Sequence, residues 1–178
     1  HKPETVECYD DRTLGIALQV LPDLMKRLKG TLVSLVFSFI PEAWMILKSG
    51  LRLPKLIILA EFGGDTHEEA RGKALKAIGD LKSSGLSMRL TKNTKEAEKY
   101  HLIRRESFNL LRQKVKGKQT APFIDDVIVR PEFLPKFWPK LHKILDKKEY
   151  DLTYAITGHL GDGNFHIIPL MDLSKQKN

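Results

Sequence analysis

Nine consecutive residues, Gly158-His159-Leu160-Gly161-Asp162-Gly163-Asn164-Phe165-His166, constrain this chain more than any other stretch. Three glycines there permit φ > 0 and turns tighter than a side chain would allow. Apolar, strand-prone residues flank them, Tyr154-Ala155-Ile156-Thr157 before and Phe165 through Leu170 after. The pattern predicts strand, glycine-rich turn, strand, with His159 and His166 brought to one rim. Either imidazole can offer a neutral nitrogen to a metal or exchange a proton near neutral pH. Asp162 and Asn164 add polar groups to the same small volume. An Asp-Gly turn is also an ordinary hairpin signal. A bare hairpin, however, needs neither a histidine at each end nor an asparagine beside the turn, so the segment reads first as a site.

The rest of the chain supplies elements to carry such a hairpin. Residues 56–60, Leu-Ile-Ile-Leu-Ala, form a short continuous apolar run, the mark of a buried central strand. Thr66 and Glu69 make a capping box for a helix through Ala70, Ala74, Ala77 and Ile78, ended by Ser83-Ser84-Gly85. Residues 86–90 alternate as a strand would. Asn93 and Glu96 open a second helix running to about Val115, and residues 123–129 predict another strand. Phe133, Leu134, Phe137, Trp138, Leu141, Ile144 and Leu145 form one helical stripe starting near Pro135. Two strand–helix–strand units joined by a long helix predict an α+β, ferredoxin-like antiparallel sheet with helices on one side.

Residues 1–52 read differently, as an irregular, helical and apolar lead-in or insertion before a domain spanning 53–178. Residues 14–28 have a helical pattern. Residues 31–40 are the most hydrophobic run, yet they number only ten before Pro41 and Glu42 interrupt them. A spanning helix needs about 20 apolar residues. Two packed helices, or a strand and a helix, are preferred over a membrane span. The sharper alternative is a patch at a membrane interface, with Trp44 at headgroup level beside Lys48 and Arg52.

A length of 178 residues suits one well-buried domain. The net charge of +8 raises nucleic acid as a partner, but the basic residues are dispersed and no zinc-finger, RRM or helix-turn-helix pattern occurs, so none is expected. Cys8 is the one cysteine and has no internal disulfide partner, which predicts a reducing, cytoplasmic setting, the inner face of a membrane being the alternative. The chain opens on His1 without a signal-peptide pattern and reads as an excerpt of a longer protein.

Two further clusters need weighing. Glu61, Asp65, His67, Glu68 and Glu69 resemble a metal cluster, but acidic residues belong in a first helical turn, so capping is the preferred explanation. On the second helix, Ala97, Tyr100, His101, Phe108 and Leu111 all fall within about 60° of Arg104 on a helical wheel. A guanidinium on an apolar face is costly unless an anion meets it. That anion is either an internal partner, Asp125 or Asp126, or a bound carboxylate, which suits the bidentate fork of arginine. His1, His67 and His142 have ordinary explanations as terminus, capped helix and exposed helix face. No Gly-x-Ser-x-Gly elbow or Gly-x-Gly-x-x-Gly run appears.

The glycine-rich segment resembles the GHxGDGNxH signature of the C-terminal substrate domain of FAD-linked 2-hydroxyacid dehydrogenases, matching at Gly158, His159, Gly161, Asp162, Gly163, Asn164 and His166. The resemblance runs from roughly residue 54 to 172. It implies the same α+β architecture, incomplete at the C-terminus, and oxidation of a lactate- or glycolate-like D-2-hydroxyacid to the 2-oxo acid with FAD. It implies that His159 and His166 are catalytic and hold a divalent metal, with zinc the candidate, and that Asn164 meets the substrate. A Trp-x-x-Arg element of the family, whose arginine binds the substrate carboxylate, maps to Arg104 if His101 takes the tryptophan position, or to Arg105 in another register. Asp125-Asp126-Val127 resembles an acidic-Asp-Val strand, while the lysine that precedes it in hydroxyglutarate enzymes is replaced by Ile124. The flavin-binding domain and a Glu-His-Gly element with a third metal ligand are expected outside this chain, so the chain alone is predicted inactive. The rival reading is a non-catalytic metal- or anion-binding module with a ferredoxin-like fold and a peripheral membrane contact.

Overall fold

A computed structural model describes residues 1–19, 40–48, 50, 53–114, 117–120 and 126–174. Its strands are β1 (Thr5–Asp10), β2 (Leu56–Glu61), β3 (Gln119–Thr120), β4 (Asp126–Ile128), β5 (Thr153–His159) and β6 (Asn164–Met171). They form one antiparallel sheet of order β2-β1-β5-β6-β3, with β4 also paired to β6. The helices are α1 (Asp11–Gln19), α2 (Ile40–Lys48), α3 (His67–Asp80), α4 (Thr94–Lys114) and α5 (Leu134–Leu145). The fold is α+β with an antiparallel sheet, as the sequence predicts.

The predicted hairpin is β5–β6. A 3-10 turn, Leu160–Asp162, joins the strands, and Gly163 ends it at φ 67°. Gly158 is needed for a different reason. A Cβ on it would lie 2.3 Å from the carbonyl oxygen of Asn164 and 2.9 Å from Cα of Phe165, its cross-strand partner.

Strand alternation sorts the core into two faces. Tyr154 and Ile156 of β5, Phe165 and Ile167 of β6 and Cys8 of β1 pack against Leu141 and Leu145 of α5. Trp138 of α5 meets Phe165 edge-on at 5.2 Å between ring centroids. On the opposite face Ile16 of α1 packs on Ala155 and Leu170, while Tyr9 packs on Ala17 of α1 and Ile103 of α4. Helices therefore cover both faces rather than the one side expected. The physical reason is in β5, where Tyr154, Ala155 and Ile156 are all buried, so neither face can be left to water. A fully buried side chain such as Ile156 contributes roughly 1.5–3 kcal/mol. Cys8 is fully buried, and burial pushes its thiol up to about 12, which makes it a packing residue.

Three local readings change. Thr5–Asp10, placed by sequence in an irregular lead-in, is an interior strand paired with β2 on one side and β5 on the other. Glu7 and Asp10 interrupt its apolar pattern and hid it. β2, expected at the centre, is instead at the sheet edge, with Ile58 half exposed. Residues 86–90 form no strand and pair with nothing in the sheet.

The caps follow the sequence. Thr66 Oγ1 accepts from the amide of Glu69 at 3.2 Å, and Glu69 reaches back to the amide of Asp65 at 2.9 Å. Asn93 Oδ1 accepts from the amide of Glu96 at 3.0 Å. Asp10, fully buried at the end of β1, caps α1 by accepting from the amide and hydroxyl of Thr13 at 2.9 and 2.7 Å. No helix among the described residues is long and apolar enough to cross a membrane. Of the apolar stretch 31–47, residues 31–39 lie outside the described residues, as does Arg52, and nothing supports the membrane contact. The remainder of the helical pattern after residue 19 and residues 123–125 also lie outside.

Candidate functional site

The register of the sheet sets polar side chains in two adjacent rows on the α1/α4 face. Glu7 of β1 stands opposite His159 of β5, which stands opposite Asn164 of β6. In the next row Thr157 stands opposite His166, and His166 opposite Asp126 of β4. Directly opposed Cβ atoms are about 4.5–5.5 Å apart, so the hairpin brings both imidazoles and the amide together. The two rings meet edge-on, 5.5 Å between centroids.

Each ring has an acidic neighbour at Nδ1. Asp126 Oδ1 lies 2.5 Å from His166 Nδ1, and Asp126 Oδ2 accepts from Asn164 Nδ2 at 3.4 Å. These bonds, His166 first and Asn164 second, hold the Asp126 carboxyl below its usual range. Glu7 Oε1 lies 3.7 Å from His159 Nδ1, an ion-pair distance too long for a hydrogen bond. His166, hydrogen-bonded at Nδ1, keeps its Nε2 lone pair for a ligand.

Helix α4 crosses over β1 and adds two side chains. Arg104 Nη1 lies 3.1 Å from Glu7 Oε1, and its side chain is only 18% exposed. Arg105, one residue on and about 100° round the helix, is 68% exposed and pairs with Glu106, away from the site. His101, at the tryptophan position of the resemblance, bridges two carboxylates, Glu7 at 3.3 Å and Glu61 at 2.6 Å. The internal partner of Arg104 is thus Glu7. Asp126 is engaged with His166 and Asn164, and Asp125 lies outside the described residues. Among the described residues, three buried atoms here have no hydrogen-bond partner: Arg104 Nε, Asn164 Oδ1 and Glu7 Oε2, the last at ion-pair distance from His101.

Sequence reasoning did not find Glu7. The available signal was a glutamate two residues before Tyr9 in Thr5-Val6-Glu7-Cys8-Tyr9, which strand alternation puts on the same face as Tyr9. Thr66 and Glu69 serve as caps, the latter accepting from the Asp65 amide, and among the described residues no three His, Cys, Asp or Glu side chains are arranged to hold a metal. His142 is not on an exposed face: its Nδ1 is 3.1 Å from the Tyr154 hydroxyl and its ring meets Trp138. A cavity of about 690 Å³ opens on the far side of His101, between β2, α3 and the start of α4. His159, His166, Asn164 and Arg104 are not in its walls. The chemistry sits on the sheet face beside it, and the residue types there, rather than the size of the hollow, mark the site.

The part-buried Arg104 is joined to this histidine patch through Glu7. Residues 1–178 match the family FAD linked oxidases, C-terminal domain, and the chain belongs to that family. The match includes residues 1–52, consistent with β1 lying inside the sheet. A D-2-hydroxyglutarate dehydrogenase of Pseudomonas putida is 28% identical over an alignment covering 97% of this chain and 16% of that protein. A D-2-hydroxyglutarate dehydrogenase of Haemophilus influenzae is 29% identical over 76 residues, 43% of this chain and 7% of that protein. The chain therefore spans a small part, 16% and 7%, of the relatives it matches.

Proposed function

We propose that this chain is the substrate-binding part of a flavin-dependent dehydrogenase that oxidises a D-2-hydroxyacid to the 2-oxo acid. The observation that carries the reading is the set of unmet atoms around the imidazole pair. Arg104 Nε is a buried donor on a cation, and Asn164 Oδ1 is a buried acceptor, both without hydrogen-bond partners among the described residues. Leaving such groups unpaired costs about 1–3 kcal/mol each. A 2-hydroxyacid is their complement, with a carboxylate to accept and a hydroxyl to donate. Arg104 holds the carboxylate and Asn164 orients the hydroxyl. Arg105, turned to solvent, has no part in this assignment. The names of the relatives favour hydroxyglutarate over the lactate- or glycolate-like acid that the sequence suggested.

His159 and His166 fit as part of a divalent metal site, since each can offer an imidazole nitrogen and His166 is already held at Nδ1 by Asp126. Catalytic zinc sites usually take three protein ligands, and the described residues bring together only these two. When bound, the metal supplies Lewis-acid polarisation of the hydroxyl and FAD accepts the electrons. FAD would be bound mainly by a flavin domain of the full-length protein, with this chain supplying the substrate contacts.

The test uses the full-length protein with D-2-hydroxyglutarate and D-lactate, following flavin reduction. Arg104→Ala lowers kcat/KM by about 30-fold or more, the scale for removing one partner of a buried charge pair, whereas Arg105→Ala leaves it within about threefold. Replacing His159 and His166 together by Asn abolishes turnover and keeps the fold. Undiminished flavin reduction in that double variant refutes the assignment.

A further inference from the structure

We propose that Glu7 is the positioning residue of this site, one part-buried carboxylate that sets both the Arg104 guanidinium and the His159 ring. The proposal rests on the dehydrogenase reading above for its kinetic consequence, and on geometry for everything else.

Glu7 is 13% exposed and stands directly opposite His159 across the β1–β5 ladder. Its Oε1 is 3.1 Å from Arg104 Nη1 and 3.7 Å from His159 Nδ1. Its Oε2 is 3.3 Å from His101 Nδ1, and the other nitrogen of His101 is 2.6 Å from Glu61. One side chain on an interior strand thus gathers a helix residue and a neighbouring-strand residue that share no other anchor among the described residues. Asp126 is unavailable for the task, since it is bonded to His166 and Asn164 on the opposite side of β6.

What Glu7 takes determines what remains. By engaging Nη1 it occupies one end of the guanidinium fork and leaves Nε, without a hydrogen-bond partner among the described residues, for an incoming carboxylate. At 3.7 Å it faces Nδ1 of His159 without a hydrogen bond, so its negative charge favours the N–H on that nitrogen and leaves Nε2 for a ligand. A flexible arginine stem and a freely rotating imidazole would otherwise sample several orientations. His101, held in turn by Glu61, buttresses the carboxylate from the far side.

The test uses the full-length flavoprotein carrying Glu7→Gln, which keeps the size and one acceptor oxygen but removes the charge. Its kcat/KM for the hydroxyacid falls about 10–100-fold, the usual loss for a residue that orients a ligand-holding side chain. In an Arg104→Lys background the same substitution costs less than about threefold more, because both changes break one linkage. In crystals of Glu7→Gln protein, the guanidinium of Arg104 and the ring of His159 leave their positions while β1 and β5 stay in place. Should Glu7→Gln fail to accumulate, Glu7→Asp, which withdraws the charge by one methylene, is read by the same three measurements. Near-native kcat/KM, losses that multiply fully in the pair, or unmoved side chains in the crystal each overturn the proposal. A wild-type protein that oxidises no 2-hydroxyacid sinks the dehydrogenase reading alone, and the crystal structure then decides Glu7 by itself.

Discussion

Gly85 and Gly163 occupy nearly the same backbone conformation, with φ of 72° and 67°, so an alanine at either position meets a similar intrinsic strain. That strain is about 1–2 kcal/mol for a residue with a Cβ in the left-handed region. Their surroundings differ. A Cβ at Gly85 has nothing within 4 Å, whereas one at Gly163 falls 2.0 Å from the Val129 carbonyl oxygen and 3.0 Å from its carbon. The Val129 backbone cannot easily withdraw, because its amide donates to the Gly163 carbonyl at 2.8 Å. Overpacking of this kind costs a further 1–3 kcal/mol or so. Gly163→Ala is therefore expected to melt about 2–12 °C below Gly85→Ala, taking about 2–4 °C per kcal/mol for a chain of this size. Far-UV circular dichroism melts of the two variants, with urea midpoints as a second measure, give the comparison. Equal midpoints would show that turn conformation alone matters and that Val129 does not press on the turn.

Thr66→Ala removes the acceptor for the Glu69 amide at the start of α3 and should cost about 1 kcal/mol, with Thr66→Ser close to neutral. Amide exchange in the first turn of α3 reads this directly, and unchanged protection would count against the cap. Asp10 gives a pH test. Burial, opposed by the Thr13 bonds, raises its carboxyl above the ordinary 3.8. With the folded value above the unfolded one, its contribution is fully present below about pH 4 and is lost as pH rises through the raised value. Asp10→Asn, uncharged throughout, should therefore gain on the native protein across that window in urea midpoints. A gap that does not change with pH would contradict the buried, charged carboxylate.

Much of the site was legible because its parts are close in sequence. The Gly158–His166 segment encodes its own bend, and cross-strand pairing inside a hairpin follows once the bend is fixed. Capping at Thr66 and Asn93 was equally readable, since donor and acceptor lie within four residues. Arg104 was singled out by helical periodicity alone, while the register of the Trp-x-x-Arg resemblance left Arg105 open. What the sequence did not disclose was long-range. Glu7 is separated from Arg104 by most of the chain, and a strand with two charged residues among six has a weak apolar signature. The apolar run at 56–60 looked central because hydrophobicity reports burial of side chains, not the number of paired neighbours, and β2 lies at the edge.

Taken alone, the order of residues determined the glycine bend, the capped helices, an antiparallel α+β class and the chemical groups available for binding an anion. Tertiary structure decided which of two adjacent arginines faces inward, which carboxylate answers it, and that helices flank the sheet on both sides. The division has a physical basis. Local structure is set by bonds spanning a few residues, whereas an ion pair between β1 and α4 exists only after distant segments have been brought to the same face.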